Sequence, residues 1–226
     1  MNHLSLTVWP ALLGWGTLVG LDLVSVPQMM IARPVVAGGI AGWILGDVEA
    51  GLRVGVVLEL FALDVLPVGA VRYPDFGPAA VVAAAFAAGQ PWDIGLGLSV
   101  ALGMLVAGLG GWSLLLLRRR TTRDIQRRAA ALAAGEAATI RALHYAGIAR
   151  DLGRSASLTA LGLALAWGLA QVPALPEACL RLAGRVAVAG ALAAVAGGAL
   201  RGAGRGRRLQ WLGAGLAIGT GWVLLA

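Results

Sequence analysis

Apolar positions in this chain gather into runs of unequal length, and the polar positions fall at their ends. The first run goes from Leu4 to about Leu21 and stops at Asp22, with Pro10 near its start and Trp9 and Trp15 inside it. Proline in a first helical turn removes a backbone donor that has no helical partner anyway, so the run reads as a membrane span. No basic stretch or obvious cleavage site accompanies it, and it is expected to be retained rather than removed as a signal peptide. A short piece, Val24 to Met30, follows and is closed off by Arg33 and Pro34.

Two pieces come next, Pro34–Leu45 and Gly51–Leu66, each too short to cross hydrocarbon comfortably alone. Gly46, Asp47 and Glu49 between them have turn and helix-cap chemistry. Glycines at 38, 42 and 46, then 51 and 55, put a groove of small residues on one helix face, where backbones can approach closely. The pattern predicts a re-entrant or broken-helix hairpin. Phe76–Ala88 is a further apolar piece, Gln90 to Asp93 a loop with Trp92 as an interfacial aromatic, and Ile94–Leu117 is long enough to cross.

From Thr121 to Arg154 the pattern changes. Ile125, Leu132, Ile140, Leu143, Ile148 and Leu152 recur at roughly helical spacing among charges, which predicts an amphipathic segment on the membrane face or against a partner. Leu158–Val172 and Val186–Leu200 read as two membrane helices joined through Pro173 and Pro176, and Leu209–Ala226 as a last span. The expected fold is an all-α polytopic membrane protein with re-entrant or broken hairpins in its N-terminal half. Its parts are a membrane core (1–117), an amphipathic segment (118–154) and C-terminal transmembrane helices (155–226).

Composition supports this class. Of 226 residues, 59% are apolar and 13% charged, against about a quarter charged in soluble domains. The net charge of +7 comes from arginine alone, because the chain has no lysine. The arginines cluster at 118–120, 123, 127 and 128, and again at 201, 205, 207 and 208, beside apolar runs. That is how cytoplasmic loops are marked, and both clusters fall on the same side of the expected topology. Without interleaved aromatics or a soluble basic fold, nucleic acid is not an expected partner. A single cysteine, Cys179, and two distant histidines, His3 and His144, exclude an intrachain disulfide and suggest neither a metal centre nor a cofactor.

Candidate chemistry lies between Gln28 and Asp75. An ionisable residue at the centre of a membrane helix costs roughly 2.5–3.5 kcal/mol on insertion scales, so such residues usually mark a pathway or site. Glu59 sits in an apolar helix after the glycine ladder; it is either a salt-bridged structural carboxylate, paired to Arg33 or Arg53, or an acceptor for sugar hydroxyls or a cation. Gln28 would be its amide partner, or an interhelical hydrogen bond. Asp75 either caps the helix starting at Phe76 or faces the site. Asp47 reads as a cap, Asp22 as a solvated acid near an interface, and Asp64 as an acid that could pair with Arg72. Trp43, Trp112 and Trp167 read as packing or interface residues, and His144 as a surface histidine.

At these positions the chain resembles the IIC subunits of mannose/fructose/sorbose-type sugar phosphotransferase systems. The resemblance runs through Gln28-Met-Met-Ile-Ala-Arg33-Pro34, the ladder Gly38, Gly42, Gly46-Asp47, Gly51 and Gly55, then Leu58-Glu59-Leu60, Pro67-Val-Gly69 and Pro74-Asp75. It continues more loosely around Leu143 to Asp151 and ends near Leu163. It implies a multi-pass protein of the bacterial inner membrane that binds and carries a sugar through Gln28, Glu59 and Asp75. Arg33, Pro34, Asp47 and the ladder glycines would shape the core. It also implies an oligomer with a IID membrane subunit, and cytoplasmic IIA and IIB proteins that hold the phosphoryl group, so this chain has no catalytic residue or cofactor of its own. Asp64 stands where the family usually has Gly, Arg72-Tyr73 replaces a small or proline-like pair, and Phe76 follows Asp75 where a second acid is common. Two other readings stay open at the level of residues: a non-transporting membrane scaffold that docks soluble phosphotransferase proteins, and an ion- or proton-coupled porter using the same acids.

Overall fold

The computed structural model describes residues 8–63, 65, 73–172 and 175–201, with scattered positions from 206 to 218. Asp64, Pro67, Gly69, Arg72, His3 and most of the expected last span therefore lie outside the described residues. Among the described residues all regular structure is helical: α1 (Trp9–Asp22), α2 (Pro34–Leu45), α3 (Val48–Leu63), α4 (Phe76–Ala87), α5 (Trp92–Arg127), α6 (Ala129–Ala133), α7 (Ala137–Ala170) and α8 (Glu177–Arg201).

Helix lengths divide the protein into two kinds of element. At about 1.5 Å per residue, α2 and α4 are each about 18 Å long, well short of the ~30 Å hydrocarbon core. By the same measure α5 reaches about 54 Å and α7 about 51 Å. Two helices, Asp93–Arg127 and Glu177–Leu200, are long and apolar enough to cross a membrane. The boundaries expected at 117/118 and 154/155 fall inside α5 and α7. The amphipathic stretch is the continuation of these two helices beyond their apolar parts, joined by the one-turn α6. Its exposed arginines are partly held by Asp124, which meets Arg150 at 2.5 Å.

α2 and α3 form the expected hairpin, turned by Gly46 in the left-handed region (φ 74°) and by Asp47. The Asp47 carboxylate accepts the Ala50 N–H at 3.0 Å, capping α3, and its second oxygen accepts the Gly89 N–H at 2.9 Å. α3 consequently starts at Val48, three residues before the expected Gly51. The ladder glycines face one another across the hairpin: a Cβ on Gly38 would lie 2.7 Å from the Gly51 carbonyl, and one on Gly55 2.7 Å from the Pro34 carbonyl. Backbone meets backbone here, so no side chain can yield.

α4 is the centre of the molecule. Each of its residues from Phe76 to Ala87 is buried, and it touches α1, α2, α3, α5 and α7. Its Ala- and Val-rich sequence lets five neighbours come close, and Pro78 falls in the first turn, where it breaks no helical hydrogen bond. α1 packs on α7, and α8 covers α5 and α3. The outer faces carry Trp43, Trp112 and Trp167, each at least half exposed, as lipid- or partner-facing aromatics would be.

Replacing Gly51 with Val forces a side chain into the backbone of α2. Overpacking of this kind destabilises by about 1–3 kcal/mol. A thermal unfolding scan of the detergent-solubilised Gly51→Val variant is expected to show a clearly lowered Tm, whereas Gly14→Val, whose Cβ would meet nothing within 4 Å, leaves it unchanged.

Candidate functional site

Four helix ends meet inside the apolar body: the C-termini of α1 and α3 and the N-termini of α2 and α4. Helix termini leave backbone groups without helical partners, and away from water these must find others. Carboxylates supply them. Asp22, the last residue of α1, accepts the Met29 N–H at 2.7 Å with one oxygen and the Ala32 N–H at 3.0 Å with the other. It is 2% exposed. The expectation of a solvated Asp22 is thus corrected: its two oxygens fold the 23–33 loop back over the end of α1. Within this loop Met30 adopts φ 62°, a left-handed backbone that non-glycine residues rarely take up.

Glu59 satisfies the next end. Its carboxylate accepts the Val35 N–H at 3.3 Å, in the first turn of α2, and is salt-bridged to Arg33. Arg33 was one of its two sequence candidates as a partner; the other, Arg53, is paired with Glu49 one turn away on α3. Arg33 occupies the position before Pro34 at the start of α2, but it makes no side-chain cap.

Between the 23–34 loop and the 73–77 segment lies a cavity of about 250 Å³. Asp22, Gln28, Met30 and Arg33 form one wall, Tyr73 and Phe76 the other, and Ala62 and Val65 close it from the end of α3. Gln28 is exposed and its amide has no hydrogen-bond partner among the described residues. The Tyr73 hydroxyl accepts from Arg118 at 2.8 Å, and the Arg118 guanidinium also sits 4.9 Å from the ring centroid. Arg118, read from sequence as a marker of topology, thereby also fixes a cavity wall.

Asp75 faces away from this cavity. It lies fully buried at the start of α4, where no cap is formed by its side chain, and its Oδ2 takes a hydrogen bond from Arg154 of α7 at 2.8 Å. Gly110 and Gly111 on α5 make room for this segment: a Cβ on Gly110 would be 2.5 Å from the Asp75 Cβ, and one on Gly111 2.5 Å from the Tyr73 carbonyl. The Asp75 N–H also donates to the Ala107 carbonyl at 3.0 Å. Arg154 uses its whole fork, reaching Asp151 at 2.7 Å, the Ser113 hydroxyl at 3.3 Å and the Gly20 carbonyl at 3.3 Å. Asp151 in turn accepts from the Ser25 hydroxyl. One guanidinium therefore ties the 23–33 loop, through Asp151 and Ser25, to the 73–77 segment, through Asp75. The two walls of the cavity are joined from behind.

The structure brings Gln28 and the Arg33–Glu59 pair to one cavity, with Arg33 rather than Glu59 on its surface, and it turns Asp75 toward a separate polar cluster. Sequence reasoning missed Ser25, Asp151 and Arg154. The available signal was Asp151 and Arg154, three residues apart and just before the apolar run at Leu158, on a helix whose other charges stand further from the membrane.

The profile of the PTS system sorbose-specific IIC component family matches residues 6–205. The chain belongs to that family. Its relatives include the sorbose-specific EIIC component of Klebsiella pneumoniae, 35% identical over 118 residues, which are 51% of this chain and 43% of that protein. The chain thus aligns with less than half the length of this relative. Two solved structures share the fold across 98% of this chain and 95% of theirs: one described as a membrane protein (TM-score 0.71, 21% identity), the other the mannose transporter ManYZ in complex with microcin E492 (TM-score 0.61, 22% identity). This IIC-family chain is accordingly an all-helical membrane protein, and the resemblance read from Gln28 to Asp75 identified its family.

Removing Arg154 leaves two fully buried carboxylates with no cation, and breaking a buried ion pair from one side costs about 3–5 kcal/mol. Arg154→Met is expected to lower Tm strongly. In the Asp75→Asn, Asp151→Asn background the same substitution is expected to cost much less, which a double-mutant cycle measures.

Proposed function

We propose that this chain is the sugar-carrying membrane subunit of a phosphotransferase system, and that the sugar occupies the cavity between the 23–34 loop and the 73–77 segment. The observation that carries this reading is the pairing, at one cavity within an apolar body, of an unpartnered carboxamide with an arginine–carboxylate pair. A hexose presents adjacent hydroxyls that each donate and accept. Gln28 offers both an acceptor and two donors, and Arg33 offers donors only. Glu59, behind Arg33, orients the guanidinium toward a sugar hydroxyl, while Tyr73 and Phe76 supply the apolar surface that covers a pyranose face.

Asp75 acts at one remove in this reading. It holds the Tyr73 wall through Arg154 rather than touching sugar. The relatives named for sorbose and for mannose support a hexose as substrate. Family membership supports a IID-type membrane partner, with cytoplasmic IIA and IIB proteins supplying the phosphoryl group, so that this subunit carries sugar and does not itself transfer phosphate.

The position of the cavity suits that division of work. The 73–75 segment lies beside α5 from Ala107 to Arg118, next to the first arginine cluster. Clusters of this kind mark the cytoplasmic end of a span. A sugar held there stands in the half of the membrane from which a soluble phosphoryl donor approaches.

The test is sugar binding by the chain reconstituted with its IID partner. Gln28→Ala and Glu59→Gln are each expected to weaken binding of the transported hexose about tenfold, the size of one lost hydrogen bond to a charged or well-placed group. Unchanged affinity in both variants, with transport intact, would remove the cavity from the sugar path.

A further inference from the structure

A second concavity, about 460 Å³, runs along the outer seam between α5 and α8, far from the sugar cavity in sequence and fold. Its surface is ordered along the helix axis. Asp93, Arg181 and Arg185 stand at one end, and Leu96, Val188 and Leu192 continue from them. Positions 181, 185, 188 and 192 are spaced by three and four residues, so they share one face of α8. Gly97 allows the seam to close tightly, since a Cβ there would lie 2.5 Å from the Ala183 backbone.

The charges at the polar end do not balance. Arg181 takes both neighbouring acids, Asp93 at 3.3 Å and Glu177 at 2.8 Å. Arg185 has no partner among the described residues. It lies eight positions into the Glu177–Leu200 span, about 12 Å along the axis from Glu177. An unpaired guanidinium at that depth reaches back toward the headgroups, and helical side chains lean toward the N-terminus, which here is the nearer surface. The nearest anion that the surroundings themselves supply is a lipid phosphate.

We propose that this groove binds an anionic phospholipid, with its phosphate on Arg185 and an acyl chain along Leu96, Val188 and Leu192. The polar-to-apolar order of the groove matches the order of headgroup and chain. A zwitterionic lipid brings its own cation to compete with Arg185, so a net negative headgroup is favoured. The first arginine cluster lies at the opposite end of α5, and α8 ends at Arg201, so the lipid comes from the leaflet facing away from the cytoplasm. This site is independent of the sugar reading.

Native mass spectrometry of the full chain in detergent, with equal phosphatidylglycerol and phosphatidylcholine of the same chain length, tests the proposal. The wild type is expected to retain phosphatidylglycerol about fivefold over phosphatidylcholine, as one arginine near a headgroup provides. Arg185→Gln is expected to abolish the preference and Arg185→Lys to keep it. Ala189→Trp, which fills the groove, is expected to lose bound lipid while Tm holds, and Arg119→Gln at the opposite end is expected to behave as wild type. Equal retention of the two lipids by the wild type, or full preference in Arg185→Gln, overturns the proposal. Displacement of the lipid by glycerol phosphate alone also overturns it, because the site would then be one for free anions. So does exclusion of lipid by the IID subunit in the assembled complex, because the groove would then be a protein interface.

Discussion

Everything in the N-terminal half follows from breaking helices inside an apolar body. Four helix ends converge beside one cavity, and a backbone amide left unsatisfied away from water carries a cost of several kcal/mol. Asp22 and Glu59 answer that need directly, accepting backbone N–H groups from the loop after α1 and from the first turn of α2. The resulting arrangement is both a cap and a polar chamber. The loop that solves the helix-end problem for α1 also lines the cavity.

Buried carboxylates create a second requirement, which the arginines meet. Arg33 neutralises Glu59, and Arg154 neutralises Asp75 while also reaching Asp151. The two pairs are differently placed. Arg33 stands on the cavity surface and can exchange partners with a ligand, whereas the Arg154 cluster is sealed behind the walls. The five-donor planar fork of arginine lets one side chain hold α1, α4 and α5 to α7 at once, and a lysine has no comparable geometry.

The glycine ladder supplies the rigidity that this scheme needs. With α2 and α3 in backbone contact, Arg33 at the start of the hairpin and Glu59 near its end are held side by side. The long helices α5 and α7 frame it and carry the arginine-rich extension outside the hydrocarbon.

Much was legible in the residues themselves. Apolar run lengths separated the half-length α2 and α4 from the membrane-length α5 and α8, because hydrocarbon thickness sets the length of a span. The runs expected to cross at Leu4–Leu21 and Leu158–Val172 are not among the described helices long and apolar enough to do so, α1 having 14 residues. The four-residue glycine period announced a backbone-tight hairpin, and Gly46-Asp47 announced its turn, since a left-handed residue followed by a capping acid has few other uses. Family membership was readable from the same block. The role of each acid was not: Asp22, Glu59 and Asp75 look alike in a string of letters, and their differences come from which backbone amide or guanidinium lies opposite. Arg154 is seventy-nine residues from Asp75, and Ser25 is further still from Asp151. Local pattern records the period of a helix and the depth at which a charge stands. Only the packing of distant helices decides which charges share a hydrogen bond, because that depends on separations the chain sets after it has folded.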